Sequence, residues 1–169
     1  MMKRLIAWLG AVALLLCGNA FAGDLATPAG EVLLSVNGEI AHFNTDQGAD
    51  FDRAMLEQLP QTEFDTTTPW TTGAHHYKGV LLRDVLTAVG ASGDRIEARA
   101  LNDYQTVLEG ETLAKYPVLI AMEEDGQVLT VRHKGPLWVV FPLSDYPELD
   151  VASVHSAMIW QLRSLAVLP

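Results

Sequence analysis

The apolar residues between positions 30 and 169 occur in short runs separated by turn signals, which limits the chain to short strands and short helices. The segment "EVLLSVNGEIAHF" predicts two strands joined by a tight turn at Asn37-Gly38. Strand patterns recur in "RIEARAL", "QTVLEG" and "PLWVVFP", and "PVLIAMEEDGQVLTVRH" predicts a strand pair with its turn at Asp125-Gly126. Trp160 and Leu162 alternate with Gln161 and Arg163, which predicts a late strand over Ile159 to Val167 rather than a helix.

Two segments have helical spacing instead. "DFDRAMLEQL" places Phe51, Met55 and Leu59 on one face, with Asp50 as the predicted N-cap. "GVLLRDVLTAVGASG" predicts a second helix that ends at Gly90. Many strands with a few interspersed helices predict a single α+β domain, a mixed β-sheet or partial barrel with a few short helices.

The N-terminal residues have the pattern of a secretory signal peptide. A basic "MMKR" precedes the apolar run "LIAWLGAVALLLCGNA", and Ala20-Phe21-Ala22 has the small-x-small pattern of a cleavage site. We therefore predict a signal peptide over 1–22 and a mature periplasmic domain over 23–169. A lipid anchor on Cys17 is the less favoured alternative, because Leu16 is bulkier than the residue that usually precedes such a cysteine.

Loss of that leader changes the charge and the cysteine content. Lys3 and Arg4 leave with it, so 9 basic residues face 21 acidic ones, a formal net charge of −12 that disfavours nucleic acid. The only cysteine also leaves, so we expect no disulfide, thiolate metal ligand or cysteine nucleophile. The five histidines lack the spacing of a zinc site, and no G-x-S-x-G motif indicates a hydrolase.

Three pieces of sequence, in this order and spacing, resemble the molybdopterin-binding domain of the sulfite-oxidase superfamily. They are the entry into a helix at Gly79, the loop Asn102-Asp103-Tyr104, and Gly135-Pro136-Leu137 followed by an apolar strand and Pro142. The resemblance covers most of residues 63 to 167. It implies that fold, and in the enzymes of the superfamily it implies a molybdenum-ligating cysteine before the Gly79-like position and an arginine after the Gly-Pro-Leu motif.

The chain departs from those enzymes at both positions. The stretch expected to hold the cysteine contains Thr66, Thr67 and Thr68, and the resemblance does not fix which of them replaces it. Trp138 stands where the arginine is expected. A threonine hydroxyl is a poor substitute for a thiolate, and an aromatic ring replaces a phosphate contact with a stacking surface. We therefore expect neither catalysis nor a catalytic cofactor. A molybdopterin-dependent oxidoreductase, or a degenerate relative without the ligating cysteine, is the alternative.

The segments "TTTPWT", "ALNDY", "KGPLWVVFP" and "WQL" resemble stand-alone periplasmic proteins that bind free pterins. That resemblance implies a relay to the periplasmic part of a membrane-bound signalling enzyme, a cyclic-di-GMP enzyme or a histidine kinase. A pterin needs an aromatic plane, an acceptor for its paired ring donors and partners for its hydroxyls. The predicted ligand-binding residues are Thr66, Thr68, Trp70, His76, Asn102, Asp103, Tyr104 and Trp138.

Each main candidate also has a structural interpretation. Trp70 and Trp138 could be core residues, and Asn102-Asp103 could be a turn whose side chains bond their own backbone. His75 and His76 are adjacent, so in an extended chain they project to opposite sides and at most one faces a pocket.

Overall fold

The computed structural model describes residues 25–169, so the predicted signal peptide lies outside the described residues. In this range the strands are β1 (Val32–Gly38), β2 (Ala49–Asp52), β3 (Gln61–Thr67), β4 (Ala74–Leu81), β5 (Arg95–Ala100), β6 (Gln105–Glu109), β7 (Leu119–Glu124), β8 (Gln127–Val128), β9 (Trp138–Val140) and β10 (Leu162–Leu168). The α-helices are α1 (Arg53–Gln58), α2 (Leu82–Ala88), α3 (Gly110–Lys115) and α4 (Ala152–Ala157), with 3₁₀ turns at Val131–His133 and Pro147–Leu149.

The strands form two sheets. The first has the order β2-β1-β10-β5-β6, and within it β1 and β10 run parallel while the other neighbours are antiparallel. The second has the order β3-β4-β7-β8, with β9 paired to β7, and all its pairs are antiparallel. The predicted α+β class is confirmed, and the sheets of the described residues do not close into a barrel.

The predicted late strand is present as β10, in the centre of the first sheet between β1 and β5. It begins at Leu162, because Gln161 adopts a φ of 53° that interrupts the extended backbone. Trp160, just before the break, forms an isolated bridge with Trp138 of β9 instead. The end of the chain therefore links the two sheets.

The hairpin predicted at Asn37-Gly38 is wrong. Strand β1 ends there, and the backbone N–H of Glu39 donates to the carbonyl of Val167 in β10 at 3.0 Å. The antiparallel partner of β1 is β2, which follows a longer loop. Gly38 has a φ of 92°, and a Cβ there would collide with the Val167 carbonyl, so the glycine serves the junction with β10 rather than a hairpin turn.

The two predicted helices are present, with one corrected end. The N-cap of α1 is Asp52, whose carboxylate accepts from the backbone N–H of Met55 at 2.9 Å. Asp50, the predicted cap, instead accepts from the hydroxyl of Ser35 at 2.6 Å across β1 and β2. Helix α2 ends as predicted, where Gly90 adopts a φ of 62° and donates to the carbonyl of Thr87.

A hairpin absent from the sequence prediction sits between these helices. Strand β3 pairs with β4 along its whole length, and residues 68–73 form the loop that joins them. Gly79 lets β4 lie close to β7, since a Cβ at this position would collide with the carbonyl of Ile120. The segment "TTTPWTTG" is therefore the end of β3 and the loop of this hairpin. Among residues 25–169, none of the helices has the length and hydropathy of a membrane span.

Candidate functional site

A cavity of about 310 Å³ lies where three connecting segments of the chain meet. These are the β3–β4 loop, the β5–β6 turn, and the segment that runs from α4 into β10. The lining residues are Trp70, Ala100, Asn102, Tyr104, His155, Ser156, Met158, Ile159 and Trp160. Its volume falls at the small end of the range of ligand pockets, which runs from about 300 to 1,000 Å³.

Aromatic side chains form much of the cavity wall. Trp70 is 39% exposed and contacts Trp160 edge to face, with their ring centroids 5.1 Å apart. Tyr104 is 46% exposed, and its hydroxyl donates to the backbone carbonyl of Ser156 at 3.0 Å. Large exposed aromatic faces beside a cavity are suited to stacking on a flat ligand.

Threonine side chains shape the loop that carries Trp70. The hydroxyl of Thr68 pairs with that of Thr71 at 2.8 Å and accepts from the backbone N–H of Trp70 at 3.3 Å. Thr68 is only 6% exposed, and Gly73 completes the loop with a φ of 80°. Thr68 therefore fixes the loop as a local turn and does not line the cavity, in contrast to its predicted role.

His75 holds the other end of the same loop. Its Nδ1 lies 2.7 Å from a carboxylate oxygen of Asp125, and its Nε2 lies 3.2 Å from the backbone carbonyl of Thr72. Both partners are acceptors, so only the protonated imidazole satisfies the two contacts together. The hydrogen bond to Asp125 is the main cause that raises the pKa of His75; Thr72 and Glu124 add to it and burial opposes it.

The contacts of His75 with Asp125 and Thr72, here called the His75 clamp, predict that the stability of the protein depends on pH. Because the folded-state pKa of His75 is raised from 6.5, its contribution is complete below pH 6.5 and is lost as the pH rises through the higher folded value. The pKa of Asp125 is lowered, first by the backbone N–H of His76 and then by His75, so its contribution is lost only in acid. Between pH 6 and pH 8, the free energy of unfolding measured with urea should fall less in His75→Asn than in the parent.

His76→Asn is the control for this experiment. The pKa of His76 is also raised, by Asp65 and then by Glu63, but its ring does not touch the loop. Between pH 6 and pH 8, the amide protection of residues 71–73 should therefore fall in the parent and in His76→Asn. It should change less in His75→Asn. Equal pH dependence of that protection in the parent and in His75→Asn would contradict the clamp.

The β5–β6 turn contributes two of its three predicted residues to the cavity. Asn102 accepts from the backbone N–H of Tyr104 at 3.2 Å, and both residues line the cavity. Asp103 has a φ of 63°, and its backbone N–H donates to the carbonyl of Ala100 at 3.1 Å. Its carboxylate is 79% exposed and faces Arg99 at 4.0 Å. Asp103 is thus a turn residue outside the lining, which corrects the prediction that it shares a pocket with Trp70.

Three further predicted residues also lie outside the cavity lining. Thr66 is fully buried in β3, where its hydroxyl accepts from the backbone N–H of Ser144 at 3.1 Å. His76 pairs with Asp65 at 2.7 Å on the surface of the hairpin. Trp138 is fully buried, and its indole N–H donates to the carbonyl of Met158 at 3.1 Å. Their partners are distant in sequence, so local patterns gave no signal for these orientations.

Sequence reasoning missed the lining residues Ala100, His155, Ser156, Met158, Ile159 and Trp160, of which His155 is the ionisable one. Its Nε2 lies 2.7 Å from a carboxylate oxygen of Asp150, and its side chain is 27% exposed. The lining residues of the described chain include no Lys, Arg, Asp or Glu, so His155 is the one basic side chain among them. Asp150, five residues earlier, was the available signal, but that spacing matches no metal or catalytic motif.

The sequence matches a known family over more than half of its length. The model of the family described as "Oxidoreductase molybdopterin binding domain" matches residues 47–144. The chain belongs to this family. The family assignment agrees with the resemblance carried by Gly79, Asn102-Asp103-Tyr104 and Gly135-Pro136-Leu137. No curated protein matches the sequence significantly.

A solved structure of similar fold is the sulfane dehydrogenase SoxCD from Paracoccus pantotrophus. The TM-score is 0.61 at 18% sequence identity, and the match covers 79% of this chain. The matched part is only 37% of the SoxCD chain, so this protein has the fold of one portion of that larger enzyme.

The donors of the described chain do not fit the metal-bearing cofactor of molybdopterin-domain enzymes. Residues 25–169 contain no cysteine, and Thr66 and Thr68 use their hydroxyls in the hydrogen bonds described above. In the same residues no group of three or more His, Cys, Asp or Glu side chains is arranged to hold a metal. The cavity lining supplies no Lys or Arg for a phosphate, while its aromatic walls fit a flat ring.

Proposed function

We propose that this member of the molybdopterin-domain family binds a free pterin in the cavity beside Trp70 and catalyses no reaction. The observation that carries the proposal is the composition of the lining: exposed aromatic faces at Trp70 and Tyr104, with no Lys, Arg, Asp or Glu among the lining residues. A lining with aromatic faces and no charged Lys, Arg, Asp or Glu side chain suits an uncharged bicyclic ring. A phosphorylated metal cofactor requires cations and a soft ligand instead.

The size and polarity of the cavity support the same ligand class. About 310 Å³ suits a small bicyclic molecule better than a dinucleotide or a long cofactor. Polar lining side chains, among them Asn102, His155 and Ser156, can form hydrogen bonds at the edges of the ring. The remaining lining is apolar, so stacking and burial would supply most of the affinity.

The proposal extends to location and partner. The basic, apolar and small-x-small segments of residues 1–22 support export to the periplasm. Trp70 and Tyr104 are exposed at the cavity, so a bound ring would alter a surface that a second protein can contact. We propose that this second protein is the periplasmic region of a membrane-bound signalling enzyme, either a cyclic-di-GMP enzyme or a histidine kinase.

The test is the ligand content of the purified protein. Mature protein from a host that makes molybdenum cofactor should contain pterin, or bind added pterin saturably in calorimetry, without stoichiometric molybdenum in elemental analysis. Heat-denatured extracts would reveal the pterin by its fluorescence. Stoichiometric molybdenum with no binding of free pterin would contradict the proposal.

The alternative function is a molybdopterin-dependent oxidoreductase, or a degenerate relative of one. The match to the oxidoreductase molybdopterin-binding family over residues 47–144 favours it. The same preparation distinguishes the two functions. Sulfite oxidation or sulfoxide reduction that depends on bound molybdenum would establish the enzyme and reject the non-catalytic pterin-binding protein.

A further inference from the structure

The pyrimidine edge of a pterin carries ring and amino N–H donors, and a bound ring needs an acceptor for them. Asp103, the carboxylate expected in that role, faces solvent and Arg99 outside the cavity lining. Buried donors left without a partner would cost about 1–3 kcal/mol. A cavity that takes such a ring must therefore present another acceptor.

Most acceptors on the lining already receive a hydrogen bond. The side-chain oxygen of Asn102 accepts from the backbone N–H of Tyr104, and the carbonyl of Ser156 accepts from the Tyr104 hydroxyl. The carbonyl of Met158 accepts from the indole N–H of Trp138. Among side chains of the lining, three groups can still accept. They are the hydroxyl oxygens of Tyr104 and Ser156, which both donate to backbone carbonyls, and the ring of His155.

His155 is prepared for this role by Asp150. A carboxylate only accepts, so the contact of 2.7 Å places the imidazole proton on Nε2 and fixes the ring. In the neutral imidazole, Nδ1 is then an acceptor, and no described residue donates to it. Helix α4 holds His155 beside the apolar floor formed by Met158 and Ile159.

We propose that His155 determines ligand specificity by accepting, through Nδ1, a ring N–H of the bound heterocycle, with Asp150 as its positioning residue. The inference rests on the proposed function, because it names the chemistry by which the same cavity selects its ligand. The preferred class is a fused pyrimidinone with an unsubstituted ring N–H at its edge. Rings of the same size that carry a methyl group on that nitrogen are disfavoured.

Calorimetric titration with a matched ligand pair tests this specificity. Pterin and its N3-methyl derivative differ at the edge that His155 would read, and the affinity ratio of the two ligands is the measured quantity. The parent should prefer pterin about tenfold or more. His155→Phe should bring the ratio close to one while still binding both rings, because the aromatic walls remain.

Two further variants complete the test. His76→Phe changes a carboxylate-paired histidine outside the cavity lining and should keep the parental ratio. Asp150→Ala frees the imidazole proton to occupy either nitrogen and should reduce the ratio without abolishing binding. Circular dichroism and urea unfolding of each variant would verify that it is folded.

The failures of the two proposals are distinguishable. If the parent and His155→Phe discriminate equally, pterin binding stands and the role of His155 is refuted. If the parent binds neither ligand, the proposed function fails, and the inference fails with it.

Discussion

Replacing Trp138 with alanine should lower the free energy of unfolding by about 3–5 kcal/mol, the range expected for removal of a fully buried tryptophan. Its side chain has no exposed surface, and its ring contacts Tyr77 edge to face with centroids 5.4 Å apart. Removal would also leave the carbonyl of Met158 without its donor. Urea denaturation followed by far-UV circular dichroism would measure the loss.

Trp138→Phe is the companion variant. It keeps an aromatic ring against Tyr77 and removes only the indole N–H and part of the volume, so we expect a smaller loss than for alanine. Pterin affinity should change little in Trp138→Phe, since Trp138 is absent from the cavity lining. Near-parental stability of Trp138→Ala together with a large loss of affinity would show instead that Trp138 is a ligand contact.

Trp138 also shows how a position in a family motif can change its role. It follows Gly135-Pro136-Leu137, where the enzymes of the superfamily are expected to place an arginine. Here the side chain is part of the core and lies behind Trp70, with the two ring centroids 6.4 Å apart. Trp138 therefore supports the cavity wall from behind and does not form a second wall.

The parts of the fold that were predictable from sequence have local signals. Asp125-Gly126 adopts positive φ values between β7 and β8, as its sequence indicates, and Gly90 ends α2. Asn37-Gly38 carries the same signal, yet its strand pairs in parallel with β10 from the far end of the chain. A dipeptide that permits a positive φ indicates where a strand ends, but it does not specify which other strand pairs with that strand.

The β3–β4 hairpin lacked a usable pattern for a different reason. Strand β3 is polar and largely exposed, with Thr66 as its buried residue, so it shows neither strong alternation nor a continuous apolar run. Its loop is stabilised by side-chain contacts among threonines and by His75 with Asp125, which lies in another turn. The contact between His75 and Asp125 joins residues 50 positions apart, so no local sequence pattern indicates it.

Residue type alone makes Trp70, Asn102 and Tyr104 candidates for a binding site. All three line the cavity, and their contact with a ligand stays a prediction. Whether Asp103 and Trp138 face the cavity depends on the direction of their side chains. That direction is set by the pairing of β5 with β6 and of β7 with β9, which sequence patterns do not give. His155 becomes a candidate only in the structure, which shows its contact with Asp150 and its place in the cavity lining.

Replacing Trp70 with alanine should weaken pterin binding by about 1–3 kcal/mol, roughly tenfold to a hundredfold in affinity, because a stacking plane is lost. Trp70 is 39% exposed and lies on a loop, so global stability should fall far less than in Trp138→Ala. Part of that fall would come from the lost edge contact with Trp160 at 5.1 Å, a pair of a kind worth about 0.5–1.5 kcal/mol.

Phe43→Ala provides the matched control for Trp70→Ala. Phe43 is a comparably exposed aromatic residue, at 47%, in the β1–β2 loop and outside the cavity lining. Calorimetric titration should give the parental affinity for Phe43→Ala and an intermediate one for Trp70→Phe, which retains a smaller plane. Parental affinity in a folded Trp70→Ala would place pterin binding elsewhere on the molecule, because the exposed aromatic face of Trp70 would then contribute nothing to it.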